Sequence, residues 1–194
     1  MLNPGQPAPL AVLLGTLGVL AWGHDHRYGT IRPLLMVLPD RRILAVARTV
    51  VMTGYLLTVV LLAEALAWLT GLLATGGDLA EFASDGLVQR AGLGLVVLGL
   101  GLGWFGLALG ALLPSLPAAI GAYVIYPVVV EPLVALIVGQ IHENAQLWLP
   151  FASFGALVGV DAGGPPPAVA AVLFLGVMVV LNLAGVIRFR TRDV

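Results

Sequence analysis

The sequence predicts an all-α fold: a polytopic membrane helix bundle with five spans, a cytoplasmic coupling helix and an external re-entrant segment. Of the 194 residues, 60% are hydrophobic and only 10% are charged, whereas a soluble domain has about 25% charged residues. Five apolar runs each come close to the ~20 residues that a spanning helix requires. We therefore expect residues 1–194 to form a single transmembrane domain in contact with the lipid bilayer.

Two missing residue types exclude several kinds of site. The sequence lacks cysteine and lysine, and all nine basic residues are arginine. Without cysteine there are no disulfides and no thiolate metal sites. Without lysine there is no P-loop, because that motif places a lysine beside its glycine-rich turn. We expect a chain that is not itself an ATP-hydrolysing enzyme, holds no cofactor of its own and has no nucleic-acid partner.

The first apolar run, residues 8–23, is short for a span, and Trp22 at its end is typical of an interfacial anchor. The polar stretch, residues 24–32, follows it with the sequence HDHRYGTIR. Pro33 and Pro39 disfavour one straight helix through the next segment. We therefore expect a short amphipathic helix along the membrane face there.

Four longer apolar runs complete the five spans. They are predicted at residues 43–73, 91–113, 118–139 and 168–187. Asp40-Arg41-Arg42 is expected to begin the second span, whose first turns, with Arg48, should project into the cytoplasm. Residues 74–90 are expected to form a loop. The connection at 140–166 has an apolar middle, residues 147–160, which is too short to cross the membrane and is typical of a re-entrant or interfacial segment.

The arginines predict the orientation, because cytoplasmic segments carry an excess of them. Eight of the nine lie in the polar stretch, at the start of the second span or in the C-terminal tail, and only Arg90 lies in another connection. We expect a multi-pass protein of the plasma (cytoplasmic) membrane with its N-terminus outside and its C-terminus in the cytoplasm.

A glycine motif in the third predicted span resembles a nucleotide-binding sequence. Gly101, Gly103 and Gly106 match G-x-G-x-x-G, but the dinucleotide motif requires a preceding strand and this match lies within an apolar run. Gly99, Gly103, Gly106 and Gly110 share roughly one helix face. Small residues on one face favour close approach of another membrane helix, so we expect packing rather than ligand binding.

Two histidines and an aspartate in the polar stretch, His24, Asp25 and His26, have side chains that can bind metal. His142 is predicted on the opposite side of the membrane, and no other cluster completes a site. A solvated interfacial segment explains these residues better, so no metal is expected.

Two acids fall within predicted spans. Glu64 lies in the middle of the second, where an ionised acid costs about 2.5–3.5 kcal/mol and usually faces a bundle interior or water. It is predicted to line a translocation path or the bundle interior, or else to be a protonated structural residue bonded to a neighbouring helix. Glu131 precedes Pro132, where we expect a helix break that places Glu131 in an outer vestibule or at a helix end.

Residues 25–32 resemble the E-Y-R-x-G-T-x-R pattern at the inner end of the second helix in permease subunits of type-2 ABC exporters. Asp25 stands for the glutamate and His26 for the aromatic residue. The direct matches are Arg27, Gly29, Thr30 and Arg32. The sequences LPDRR at 38–42, EPL at 131–133 and WLP at 148–150 are similar to further family motifs. The family's first helix has no counterpart here, as in a fragment, a chain with a late start codon or a five-span variant.

The resemblance implies half of a transporter. A second permease copy or homologue would complete a central path, and a separate ABC ATPase subunit, with ATP and Mg, would dock on the polar stretch and drive alternating access. The implied substrate is drug-, peptide- or lipid-like. The implied ATPase-coupling residues are Asp25, His26, Arg27, Gly29, Thr30 and Arg32.

Three other interpretations stay open. The polar stretch could merely mark the cytoplasmic boundary of the membrane. The chain could be an ion-coupled secondary transporter subunit that uses Glu64, or a non-transporting membrane adaptor. Copurification of a Walker-motif ATPase distinguishes the exporter from the other two classes of protein.

Overall fold

A computed structural model describes residues 9–28, 36, 40–74, 76, 79–141, 144–157 and 164–191. Every regular element within these residues is helical, which confirms the all-α class. The α-helices are α1 (Pro9–Tyr28), α2 (Arg41–Ala74), α3 (Leu79–Ser84), α4 (Gly86–Leu112), α5 (Leu116–Ile125), α6 (Glu131–Ile141), α7 (Phe154–Leu157) and α8 (Pro167–Thr191). A π-helical segment, Tyr126–Val130, joins α5 to α6, and a 3₁₀ helix spans Ala145–Trp148.

Among the described residues, four helical stretches are long and apolar enough to cross a membrane. They are Arg41–Ala74, Val88–Leu112, Leu116–Ile141 and Pro167–Phe189, and they correspond to predicted spans two to five. Helix α1 contains a shorter apolar stretch, Ala11–Gly23. The first span and the re-entrant segment therefore stay predictions.

The start of α2 agrees with the sequence. The Asp40 side chain accepts a hydrogen bond from the Arg42 amide at 2.8 Å, and its carbonyl accepts one from Leu44 at 3.2 Å. Aspartate is favoured at this position because its oxygen satisfies an amide that has no partner within the helix. Asp40 thus begins the helix, as expected.

The predicted loop at 74–90 is partly helical, which corrects the sequence interpretation. Helix α3 lies inside it, and α4 begins at Gly86 rather than at residue 91. The Asp85 carbonyl accepts the Gln89 amide at 3.1 Å, so the first turn of α4 precedes its apolar stretch. Polar residues can extend a membrane helix beyond its apolar stretch, and apolar composition alone misses that extension.

The helix break expected near Pro132 is not found, because the helical stretch Leu116–Ile141 is continuous and contains a π-helical segment, Tyr126–Val130. This segment contains Pro127, which lacks an amide hydrogen and removes one bond from the regular pattern. Pro132 is the second residue of α6, directly after the π-helical segment. The changed winding of that segment lets the helix accommodate both prolines without ending.

The chain divides into two compact units. The first comprises Met1–Gly54, Gly101–Tyr126 and Met178–Val194, and the second comprises Tyr55–Leu100 and Pro127–Val177.

The first unit has an aromatic centre. Trp22 is 2% exposed, and its ring lies 4.6 Å from that of Phe189, centroid to centroid. The Arg48 guanidinium carbon lies 4.5 Å from the centroid of the Trp22 ring, a cation–π distance. The surrounding core residues are Leu44, Ala45, Leu107 and Ala111. The prediction that Trp22 is an interfacial anchor is wrong, because other helices cover its ring.

The second unit has a smaller core, in which the buried pair Leu157 and Ala170 packs against Val97. The ring of Phe151 meets that of Phe174 edge-on at 5.5 Å. These contacts attach the connection after α6 to α8.

Candidate functional site

Helices α1 and α4 meet at glycines, which we name the glycine seam: Gly15 and Gly18 on α1, and Gly103, Gly106 and Gly110 on α4. A Cβ atom added at Gly106 would lie 2.8 Å from the Gly15 carbonyl carbon, and one at Gly110 would lie 2.7 Å from the Val19 oxygen. A Cβ at Gly18 would collide with the Gly103 carbonyl oxygen. The predicted packing role is confirmed at these three α4 positions.

The position of these glycines within α4 also argues against a nucleotide-binding motif. Residues 101–106 lie well inside α4, which begins at Gly86. They form no turn between a strand and a helix, so their amides are not arranged to hold a phosphate.

Helix α1 also packs against α5. The Tyr123 hydroxyl donates a hydrogen bond to the Ala11 carbonyl at 2.6 Å. A Cβ at Gly15 would collide with the Tyr123 ring, and one at Gly23 would collide with the Leu116 side chain. The contacts of α1 with α4 and α5 thus extend along its whole apolar length.

The polar stretch begins within α1. The apolar run ends at Gly23, but the helical backbone continues to Tyr28, so Asp25, His26 and Arg27 belong to the last turns of this helix. Their side chains, those of His24 and Tyr28, and all of Gly29, Thr30, Arg32 and the expected amphipathic helix at 33–39 lie outside the described residues. Elsewhere in the described part of the chain, no three potential metal ligands come together.

Glu64 lies half-buried in α2 beside α4. Its Oε1 accepts a hydrogen bond from Trp68 Nε1 at 2.7 Å, one turn further along the same helix. A Cβ at Gly92 of α4 would collide with this oxygen, so the absence of a side chain there makes room for the carboxyl group. The partner that the structure gives this oxygen is therefore an indole on its own helix. The i,i+4 spacing of Glu64 and Trp68 is the sequence signal that could have indicated this pair.

Glu131 attaches the connection that follows α6 to that helix. It is 4% exposed and is the first residue of that helix. Its Oε1 accepts the Ala152 amide at 2.7 Å, while Oε2 is buried and finds no hydrogen-bond partner of ordinary geometry among the described residues. The predicted helix end is not found, because the helical stretch Leu116–Ile141 continues through Glu131. The side chain bonds the connection that follows α6.

Nearby contacts support the same attachment. The buried Ser153 hydroxyl donates to the Pro150 carbonyl at 2.8 Å. A Cβ at Gly139 of α6 would collide with the Gln146 side chain. Residues 145–153 therefore fold back onto α6.

A hydrogen-bonded set in the first unit was missed by sequence reasoning. Trp104 Nε1 on α4 donates to Thr53 Oγ1 on α2 at 3.0 Å. Asn182 Nδ2 on α8 donates to the carbonyls of Trp104, at 2.9 Å, and Met178, at 2.8 Å. Isolated polar residues in apolar spans are the available signal, since such residues form hydrogen bonds between membrane helices.

Beside this set lies an apolar groove of about 250 Å³, which we call the α2–α8 groove. Its walls include Val46, Thr49, Val50, Trp104, Asn182 and Leu183. All of these residues belong to the first unit.

No protein-family model, curated protein or solved structure matched this chain in the three comparisons made. Its function therefore has to be inferred from its residues and their geometry.

Proposed function

We propose that this chain is the transmembrane subunit of an ATP-driven ABC exporter that moves a drug-, peptide- or lipid-like substrate by alternating access. The main support for the proposal is that the polar stretch begins within α1, as a continuation of the same helix. Residues 24–28 form the end of a helix whose apolar part packs closely against two others. A partner that binds this end would therefore act directly on the bundle.

The glycine seam supports transmission of that movement. Backbone contacts leave little room for α1 to slide without displacing α4, because close-packed interiors resist small changes in volume. The Tyr123 hydrogen bond to Ala11 ties the far end of α1 to α5. A force at residues 24–32 would thus tilt α1, α4 and α5 together.

The polar stretch has the chemistry that a coupling surface needs. Asp25, Arg27 and Arg32 supply charge, and arginine makes planar two-point contacts that lysine does not. Gly29 permits a tight bend and Thr30 can cap the following helix. ATP and Mg would be bound by the separate ATPase subunit, and a second permease copy or homologue would complete the path.

Membrane orientation follows the arginine distribution. Residues 24–42 and the C-terminal tail would face the cytoplasm, where the ATPase is, and residues 74–90 and 140–166 would face outside. In this arrangement Glu131 and its attached connection lie at the external end of the path, and Glu64 lies within the membrane.

The test is copurification of a Walker-motif ATPase with the tagged chain, followed by substrate-stimulated ATP hydrolysis in liposomes. Arg27→Lys, which keeps charge but changes geometry, should lower stimulated hydrolysis, and Asp25→Ala and Gly29→Val should lower it further. Arg90→Lys, outside the polar stretch, is the matched control. If all three variants reach normal membrane abundance and keep normal stimulation, the polar stretch is not the coupling element.

A further inference from the structure

The α2–α8 groove has apolar walls although three of its residues are polar. Thr49 donates its hydroxyl hydrogen to the Ala45 carbonyl at 2.9 Å. Trp104 donates its ring N–H to Thr53, and Asn182 donates its amide hydrogens to two carbonyls. With these donors engaged inside the protein, the groove offers hydrocarbon, so its occupant is expected to be hydrocarbon too.

The size of the groove fits part of a fatty acyl chain. Its volume is about 250 Å³. A methylene group occupies roughly the 30 Å³ that one molecule of liquid water does, so the groove holds on the order of eight methylene groups. Valine side chains of α2 form much of one wall, and Val50 is 63% exposed. A chain in the groove can therefore be continuous with the bilayer around it.

Apolar contact alone selects no particular lipid, because lipid tails are about as apolar as the side chains of the helix. The selective element is Arg42. It is exposed, and it lies one helical turn before Val46 on the same face of α2, about 6 Å along the axis. The hydrogen bond that Asp40 accepts comes from the Arg42 backbone amide, so that bond does not occupy the guanidinium. An exposed guanidinium matches the oxygens of a phosphate in two-point geometry.

We propose that the α2–α8 groove binds one acyl chain of an anionic phospholipid, whose phosphate is held by Arg42. This inference does not depend on the exporter proposal, because it concerns a lipid bound to this chain and no transport step.

The test is native mass spectrometry of the full-length chain, released from mild detergent after incubation with phosphatidylglycerol or with phosphatidylcholine of the same acyl chains. The wild-type chain should retain one phosphatidylglycerol about tenfold more often than one phosphatidylcholine. Phosphatidylcholine carries the same phosphate together with a choline cation that a guanidinium repels. Arg42→Gln should therefore abolish the preference, and it should lower retention of phosphatidylglycerol more than that of phosphatidylcholine.

The groove itself is tested by a matched pair of adjacent residues. Val50 lines the groove and is 63% exposed, whereas Val51 is 69% exposed and is not among its lining residues. Val50→Trp should fill the groove and reduce lipid retention at least fivefold, and Val51→Trp should leave it unchanged. Leu183→Trp, with Val180→Trp as its control, repeats the comparison on α8 should a variant at position 50 fail to insert.

Equal retention of the two lipids by the wild-type chain would overturn the proposal and indicate non-selective surface lipid. Equal retention by groove-filling variants and their controls, at unchanged helical content by circular dichroism, would overturn the location.

Discussion

Replacing Gly106 with alanine should loosen the glycine seam. The new Cβ would collide with the Gly15 carbonyl oxygen and lie 2.8 Å from the Gly15 carbonyl carbon, whereas ordinary contact begins at 3.4 Å. Helix α1 must therefore move away from α4. The obstacle is backbone and cannot turn aside as a side chain can. Overpacking of this kind costs about 1–3 kcal/mol, against a gain of about 0.5–1 kcal/mol for alanine over glycine in a helix. The expected net loss in free energy of unfolding is about 0–2.5 kcal/mol.

The matched control is Gly176→Ala in α8, where nothing lies within 4 Å of an added Cβ. Alanine there should stabilise by about 0.5–1 kcal/mol, so the two variants should differ by about 1–3 kcal/mol, or roughly 5–150-fold in the unfolding equilibrium. The assay is reversible unfolding in mixed micelles of increasing dodecyl sulfate content, followed by circular dichroism. Gly110→Ala should behave as Gly106→Ala does. Equal stability of Gly106→Ala and Gly176→Ala would refute the seam.

Three further predictions concern the acids and the orientation. Glu131→Leu removes the acceptor of the Ala152 amide, at a cost of about 1–3 kcal/mol, and should speed hydrogen exchange at that amide. Glu131→Gln keeps an acceptor and should not speed it. Equal exchange in both variants would contradict the attachment of the connection to α6. Glu64→Gln should leave expression nearly unchanged and Glu64→Leu should lower transport; full transport by the leucine variant would leave only a structural role for the acid. Single cysteines can be introduced without a background signal because the chain has none. When intact cells are treated with an impermeant thiol reagent, a cysteine at Ser84 should react and one at Thr191 should not. The reverse result would show that the orientation is inverted.

The sequence predicted those features of the fold that depend on residues close together in the chain, such as helix starts and the faces of helices. Asp40 begins α2 because its own side chain bonds the Arg42 amide, and such caps are readable from sequence. The glycines of α4 share a face through helical periodicity alone, and the structure places α1 against Gly103, Gly106 and Gly110 of that set.

Contacts between distant segments were not predictable in the same way. Trp22 has the composition of an interfacial anchor, and only the packing of Phe189 against it shows that it is core. The partner of Glu131 is a backbone amide, that of Ala152. Every residue except proline has such an amide, so its identity carries no sequence signal. The hydrogen bond from Asn182 to the Trp104 carbonyl could not be predicted either, because a main-chain carbonyl is also present at every residue.

Trp104 holds its two neighbours with chemically different groups. It contacts Thr53 of α2 through its indole and Asn182 of α8 through its main-chain carbonyl. Only the first contact depends on which amino acid occupies position 104. Sequence drift there would alter the link to α2 and leave the link to α8 intact. Among descendants of this chain, positions 53 and 104 should therefore change together more often than positions 104 and 182 do.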